Sequence, residues 1–369
     1  MLATKTQKFI YQRALKPYFF SQDPEHIHDR MCALGKRIGE SAIGRSLCKR
    51  LFTYAHPSLE QEVLGMHFRN PVGLTAGFDK NAELTGVMPA VGFGFEVVGS
   101  VTGEPCVGNA KPRLWRLPKS KGLLVYYGLK NDGCEAIASR LSRKKFDIPI
   151  GISIAKTNSP ETVDFVKGIA DYKKAMEQMS DVGDYFVVNI SCPNAFGGEP
   201  FADPKRLDEL LCVLDEVQTT KPVLLKIAVD ISSRELDELL EVSDRHRVHG
   251  FILSNLTKKY DRPTINQDEL DGIEKGGISG RPTSKPSNQL ISHLYKTAGD
   301  RYVIVGVGGI FSAEDAYEKI CSGASLVQLA TGMIFEGPQL IGEINKGLVR
   351  LLKKDGFESI AQAVGSKHR

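Results

Sequence analysis

Residues 185–194 read Tyr185-Phe186-Val187-Val188-Asn189-Ile190-Ser191-Cys192-Pro193-Asn194. The first half is continuous, bulky and β-branched, the pattern of a strand buried on both faces of a parallel sheet. The second half turns polar, and Pro193 ends the strand because it has no N–H to offer a ladder. A buried strand therefore runs directly into a loop that carries one thiol between two carboxamides. Seven further runs of the same apolar kind occur at 72–76, 95–99, 148–154, 223–227, 250–253, 302–305 and 326–329. Helix-like stretches lie between them, for example at 160–179, 204–217, 232–247, 287–298 and 313–322. Eight such βα units predict an α/β fold closed into a (β/α)8 TIM barrel rather than an open, doubly wound sheet.

The chain has 369 residues, a length that a barrel with extensions reaches as one unit. Hydrophobic residues make up 41% and charged residues 25%, ordinary for a globular protein with a full core. Seven cysteines lie scattered without a CxxC pair, which argues against a zinc site or a disulfide framework and for a reducing compartment. No metal is expected. No apolar run reaches the roughly 18 residues of a spanning helix, and the N-terminus lacks the apolar core of a signal peptide.

Two units are expected: an N-terminal helical extension over 1–55 and a barrel over 56–369. The extension carries ten Lys/Arg against four acids, although the whole chain is only +4. That surplus suits an anionic partner such as a membrane surface, or simply a solvated face. A helix should begin at Pro24, capped by Ser21, Gln22 or Asp23, with Ile27, Met31, Leu34 and Ile38 on one side. A second should cover the stretch around 42–52. The apolar side of the first can meet a membrane or pack on the barrel. Two long connections, 101–147 and 255–301, follow strand ends where barrel enzymes build their sites.

Three motifs carry chemistry. In the Cys192 segment, Asn189 and Ser191 share a face, and Asn189 with Asn194 brackets the thiol. Carboxamides can hydrogen-bond a planar imide, and a thiol whose pKa drops by about one unit becomes a useful base near neutrality. Gly306-Val307-Gly308-Gly309 closes the seventh strand and Ala330-Thr331-Gly332 the eighth, the usual position of a barrel phosphate site. Lys226 lies within the apolar fifth strand, which implies a buried anion such as a phosphate or a reduced flavin. Lys80, just beyond the first strand, fits instead a lysine whose stem lies on apolar neighbours while its charge reaches water.

Taken together, these residues resemble the dihydroorotate dehydrogenases from about Tyr18 to Pro338. The motifs specific to that family are Asn70-Pro71-Val72-Gly73-Leu74-Thr75-Ala76-Gly77-Phe78-Asp79-Lys80-Asn81, Gly276-Gly277-Ile278-Ser279-Gly280-Arg281-Pro282 and Gly323-Ala324-Ser325-Leu326-Val327-Gln328-Leu329. The resemblance implies FMN at the top of the barrel and oxidation of dihydroorotate to orotate in pyrimidine biosynthesis. It implies Cys192 as the base for the C5 proton, with the C6 hydride passing to flavin N5. Lys80, Asn189, Asn194 and Asn255 would hold substrate. Ala76, Gly77, Ser100, Asn189, Lys226, Ser254, Ser279, Gly280, Gly308, Gly309 and Thr331 would hold FMN. The extension, with Asp23-Pro24-Glu25, His28 and Arg116, resembles the quinone-reducing class 2 members. It implies a quinone tunnel, peripheral contact at the cytoplasmic face of the cell membrane or at an inner organelle membrane, and no nucleic-acid partner.

Four positions depart from the class 2 pattern. Cys192 stands where class 2 has serine, a class 1 choice, with Leu129 and Ala195 replacing the accompanying Phe and Thr. Val125 replaces a substrate-contacting Asn, for which Lys130 or Asn131 can substitute. Ser153 replaces a flavin-contacting Asn, and Ala330 replaces a tunnel tyrosine. Val125 keeps open a second reading, in which the same FMN barrel acts on another dihydropyrimidine or cyclic imide or uses a soluble acceptor. In that last case the protein would be cytoplasmic.

Overall fold

The computed structural model describes residues 2–198, 200–273 and 275–369, with side chains from residue 6 onward. Among these the strands are, in chain order, β1 (Gln61–Val63), β2 (Met66–Phe68), β3 (Val72–Leu74), β4 (Phe95–Val101), β5 (Leu114–Leu117), β6 (Gly122–Val125), β7 (Ile150–Ile154), β8 (Tyr185–Asn189), β9 (Val223–Ile227), β10 (Gly250–Leu253), β11 (Gly277–Gly280), β12 (Val303–Val307) and β13 (Leu326–Leu329). Strands β3, β4, β7, β8, β9, β10, β12 and β13 pair in that order, and β13 closes on β3. Every barrel pair is parallel. The eight strands are the eight apolar runs, and helices such as Phe165–Gln178, Pro204–Asp215 and Ser284–Ala298 alternate with them.

Side chains of alternate residues point into the barrel, and the interior is layered by size. Phe95, Val97, Tyr185, Val187, Leu224, Ile252, Val305 and Leu326 form one buried cluster there. Small partners make room for the rings. Gly73 pairs with Phe95 and Gly151 with Tyr185, and a Cβ on either glycine would strike the neighbouring ring. One step further along the same alternation the residues turn polar. Asn189 follows Val187, Lys226 follows Leu224, and Ser254 follows Ile252. The apolar plug thus ends in a polar floor at the C-terminal mouth of the barrel.

Three parts of the architecture were not anticipated. β1 and β2 form a hairpin whose turn, Leu64-Gly65, has φ of 52° and 73°. Its Val63 and Phe68 close the barrel bottom within the interior cluster. The two long connections are not bare loops. They donate β5 and β6 from one and β11 from the other to a three-stranded antiparallel sheet. Finally, helix starts before Pro24: α1 (Leu2–Ile10), a π-helical turn (Tyr11–Leu15) and α2 (Lys16–Phe20) precede α3 (Pro24–Glu40) and α4 (Ala42–Phe52).

Of the cap candidates for α3, Asp23 is the one used. Its Oδ1 accepts from the His26 N–H at 2.8 Å, and Pro24 takes the first helical position. Ser41 caps α4 in the same way. The apolar side of α3 faces inward: Ile27 is buried, and Met31 and Leu34 line a cavity against the barrel. Leu34 nevertheless keeps 48% of its surface exposed. No helix among the described residues is long and apolar enough to cross a membrane.

Candidate active site

Three cavities meet at the C-terminal mouth of the barrel. The first, about 200 Å³, is lined by Ala76, Gly77, Lys226, Ser254, Ser279, Gly280, Gly308, Gly309 and Thr331. The second, about 100 Å³, holds Ser100, Lys130, Asn189, Cys192 and Asn194. The two share Ala76, Gly77, Lys80, Val125, Tyr127, Lys226 and Asn255 as a common wall. The third, about 570 Å³, lies between the extension and the barrel and contains Arg116. It opens on the first along His28, Phe78, Leu114, Leu123 and Ile334. The structure thus brings every sequence-expected site residue into one connected system, with His28 at its junction.

The first cavity is a backbone cradle. Gly308 and Gly309 have φ of 104° and 72°, and a Cβ on them would collide with Thr283 and Ser284. Only glycine fits, so the backbone at the end of β12 stays open to a ligand. Ser279 and Thr331 share a hydroxyl hydrogen bond of 2.8 Å across the cavity. Burial draws the Lys226 ammonium down to about 8, and among the described residues no carboxylate pairs with it. Buried Thr75 Oγ1 and Tyr127 Oη in its lining also lack a hydrogen-bond partner within the protein, as does Asn194 Oδ1 in the second cavity. An enclosed cation and orphaned polar atoms around open backbone fit a ligand that is anionic and rich in hydrogen-bonding groups.

The second cavity is organised by side-chain amides. The Asn189 Nδ2 donates to Ser100 Oγ at 2.8 Å, and Ser100 Oγ meets Ser153 Oγ at 2.8 Å. Asn189 Oδ1 accepts from Ser191 N and Oγ at 3.3 and 3.1 Å. The Asn255 Nδ2 donates to Ser191 O at 2.8 Å, and the Asn194 Nδ2 to Val125 O at 2.9 Å. The three expected substrate-holding asparagines therefore also fix the Cys192 strand end to its neighbours. Lys226 and Lys156 both interact electrostatically with Cys192. Lys156 is buried and donates to Phe196 O at 2.7 Å, which ties down the loop after Cys192.

Two expectations need correction. Lys80 does not reach water along an apolar surface. It is half-buried in the cavity wall, with Nζ 3.1 Å from His28 Nε2 and 4.2 Å from the centre of the Tyr127 ring. Burial pulls it down to about 8. Asn131 cannot stand in for a group at Val125. Its Nδ2 donates to Thr102 Oγ1 and Leu129 O, both at 2.8 Å, and its Oδ1 accepts from Gly133 N at 2.8 Å. Lys130 does face the cavity.

The third cavity is mostly apolar. Arg116 donates to Gln22 O at 2.7 Å and lies over the Phe20 ring at 4.8 Å. Burial, then the charges of Lys80 and Lys130, pull His28 well below the usual imidazole range, so it is neutral at pH 7. Several contributors escaped the sequence reading. Tyr127 is one. Glu25 is another: its carboxylate is buried on α3 and held by Arg113 at 2.8 Å. Glu25 does lie in the Asp-Pro-Glu segment, but nothing in that segment points to a partner 88 residues away. Asp208, Cys212 and His246 could group around a cation on the outside of the barrel, but Arg245 already occupies Asp208 at 2.6 Å.

The family model described as dihydroorotate dehydrogenase matches residues 58–352. A protein of Natronomonas pharaonis called dihydroorotate dehydrogenase (quinone) is 39% identical over 360 residues, covering 96% of this chain and 99% of its own. One of the same name from Gloeobacter violaceus is 39% identical over 355 residues, covering 96% and 98%. The crystal structure of DHODH in complex with ferulenol from Eimeria tenella superposes with a TM-score of 0.83 at 27% identity, covering 94% of this chain and 96% of that one. Matched along nearly its whole length, this chain belongs to the dihydroorotate dehydrogenase family, with the architecture of its class 2 type.

Proposed function

We propose that this protein oxidises dihydroorotate to orotate in pyrimidine biosynthesis and passes the electrons to a quinone. The observation that carries this reading is the connected triple cavity: a polar pocket with a thiol, a phosphate-suited cradle, and an apolar chamber, in that order. FMN fits the middle cavity, where it would supply the two-electron acceptor. Gly308 and Gly309, with Ser279, Gly280 and Thr331, would hold its phosphate end. Ala76, Gly77, Ser100, Asn189 and Ser254 would border its ring, and Lys226 would offset negative charge there.

Cys192 takes the proton from substrate C5. Lys226 and Lys156 lie within electrostatic reach of its sulfur. Lys80 holds the substrate carboxylate, and Asn194 presents its unpartnered Oδ1 to a ring N–H. Asn189 and Asn255 keep the Cys192 segment in place and border the ring.

The third cavity receives the quinone, with His28 and Arg116 as its polar contacts. The 1–55 extension acts as one unit that walls this chamber and rests on a membrane. The surface it would offer is α4, where Ile43, Leu47 and Leu51 form a stripe exposed by 83%, 57% and 45%. Arg45, Lys49 and Arg50 flank it, which suits anionic headgroups.

The test is anaerobic. The purified yellow protein should bleach with dihydroorotate and recolour with a short-chain quinone faster than with fumarate or NAD. No bleaching at full flavin content overturns the substrate; preferential recolouring by a soluble acceptor overturns the quinone.

A further inference from the structure

The second cavity contains few side chains able to donate a hydrogen bond outward. The Asn255 amide donates to Ser191 O and Oγ, while Asn194 Nδ2 and Asn189 Nδ2 have each given one proton, to Val125 O and Ser100 Oγ. Val125 offers only a methyl surface, and Asn131 is turned into its own loop. Besides the Tyr127 hydroxyl, the donors that carry charge in the cavity lining are ammonium groups. Lys226 stands on the barrel floor at the end of β9, which leaves Lys80 and Lys130 as the other two lysines in the lining.

Lys130 is placed there by its loop. Gly128 and Leu129 have φ of 64° and 59°, which reverses the chain. Asn131 then pairs its backbone with Cys106 in both directions at 2.9 Å. With Asn131 locked inward, Lys130 projects the other way, into the cavity wall. Its ammonium lies 3.8 Å from Glu25 Oε1 on α3. That carboxylate is already matched by Arg113 at 2.8 Å and Lys111 at 3.4 Å, so the cluster keeps an excess of positive charge. Lys130 also acts on Lys80 and His28 through its field, which puts the two lysines in one electrostatic neighbourhood.

We infer that Lys130 is a second cation for the substrate carboxylate, forming with Lys80 a two-lysine clamp that selects dihydropyrimidines bearing a carboxylate over neutral ones. The identity of that carboxylate rests on the dihydroorotate reading above. The clamp replaces a directional contact from β6 with charge, so it discriminates by the presence of an anion more than by its geometry. Glu25 positions the second cation, so the helix that walls the apolar chamber also sets the polar one.

Orotate and uracil, titrated calorimetrically into the oxidised holoenzyme, test this with Lys130→Met and Lys130→Arg. Orotate affinity should fall about tenfold or more in Lys130→Met and largely return in Lys130→Arg, whereas uracil should bind equally weakly to all three. In flavin reduction, KM for dihydroorotate should rise by a similar factor and the limiting rate fall far less. An unchanged orotate-to-uracil preference in Lys130→Met overturns the inference, as does a parallel loss of both ligands. If dihydroorotate fails to bleach the wild type, the substrate assignment fails separately. The orotate-to-uracil preference still decides Lys130, and a wild type without that preference overturns it.

Discussion

The second and third cavities abut the same middle cavity and are chemical opposites. One is small and cationic, lined by Lys80, Lys130, Cys192 and Asn194. The other is several times larger and lined by Leu15, Phe19, Phe20, Ile27, Met31 and Leu34, with Arg116 as its inner charge. A polar anion and an apolar oxidant can therefore react in turn at one cofactor without sharing a chamber. The partition between them is thin: Phe78, His28, Lys80 and Tyr127 in sequence. Helix α3 serves both sides, with Glu25 on the polar face and Ile27, Met31 and Leu34 on the apolar one.

The sharpest way to break this symmetry is at Cys192. Cys192→Ala should slow anaerobic flavin reduction by dihydroorotate about 10²- to 10⁴-fold, the usual range for losing a positioned base. Reoxidation of the dithionite-reduced enzyme by quinone should stay at the wild-type rate, because the thiol lines the polar chamber and not the apolar one. Stopped-flow absorbance resolves the two halves. Equal loss in both would mean that the cavities are not chemically separate.

How far the two chambers were legible differs for a physical reason. The polar one is built at strand ends, where period-two alternation and local motifs such as Asn189 to Asn194 expose its content in sequence. The cradle is legible because only glycine tolerates the backbone at positions 308 and 309. Packing partners far apart in the chain are different. Glu25 meeting Arg113, His28 meeting Lys80, and β11 meeting β6 depend on how the long connections fold back over the barrel. No periodicity in either segment encodes the other. Lys80 was misjudged for the same reason: its neighbours Tyr127 and His28 come from a different connection and from the extension. The side of α3 was ambiguous because a barrel surface and a membrane both accept Ile and Leu.

The next contrast is in pH. Burial lowers Lys80 and Lys226 to about 8, so each is charged below that pH and neutral above it. Orotate needs the charged form. Its Kd in the oxidised enzyme should be flat up to about pH 7.5 and then rise, approaching about tenfold per pH unit if one proton is required. The break belongs to the free enzyme, since bound anion favours the protonated lysines. The apolar chamber should show none of this. His28 is held well below its usual range and is already neutral, and burial pushes Tyr11 up to about 12. The residues of the apolar chamber should therefore add no break of their own to quinone reoxidation from about pH 6.5 to 9, leaving only that of Lys226 beside the cofactor. An orotate Kd that is level through pH 9.5 would remove the lysines from anion binding.

The smallest effect on turnover is expected at the outer surface of α4, and it tests why the apolar chamber sits where it does. Ile43, Leu47 and Leu51 recur every four residues on the solvent side, so their exposure forms a stripe and not scattered contacts. Removing that stripe from water is worth up to about 1.5–3 kcal/mol per side chain if fully buried. Replacing all three by Ser should change Tm little, because exposed positions seldom contribute more than about 0.5 kcal/mol. Turnover with a short-chain, water-soluble quinone should stay within about twofold, since that quinone needs no bilayer. Cosedimentation with anionic vesicles should drop several-fold, and turnover with a long-chain quinone held in those vesicles should drop with it. If vesicle binding persists, the stripe is not the docking face. If short-chain turnover falls equally, α4 shapes the chamber itself and the polar and apolar halves differ less in their dependence on the extension than the cavities suggest.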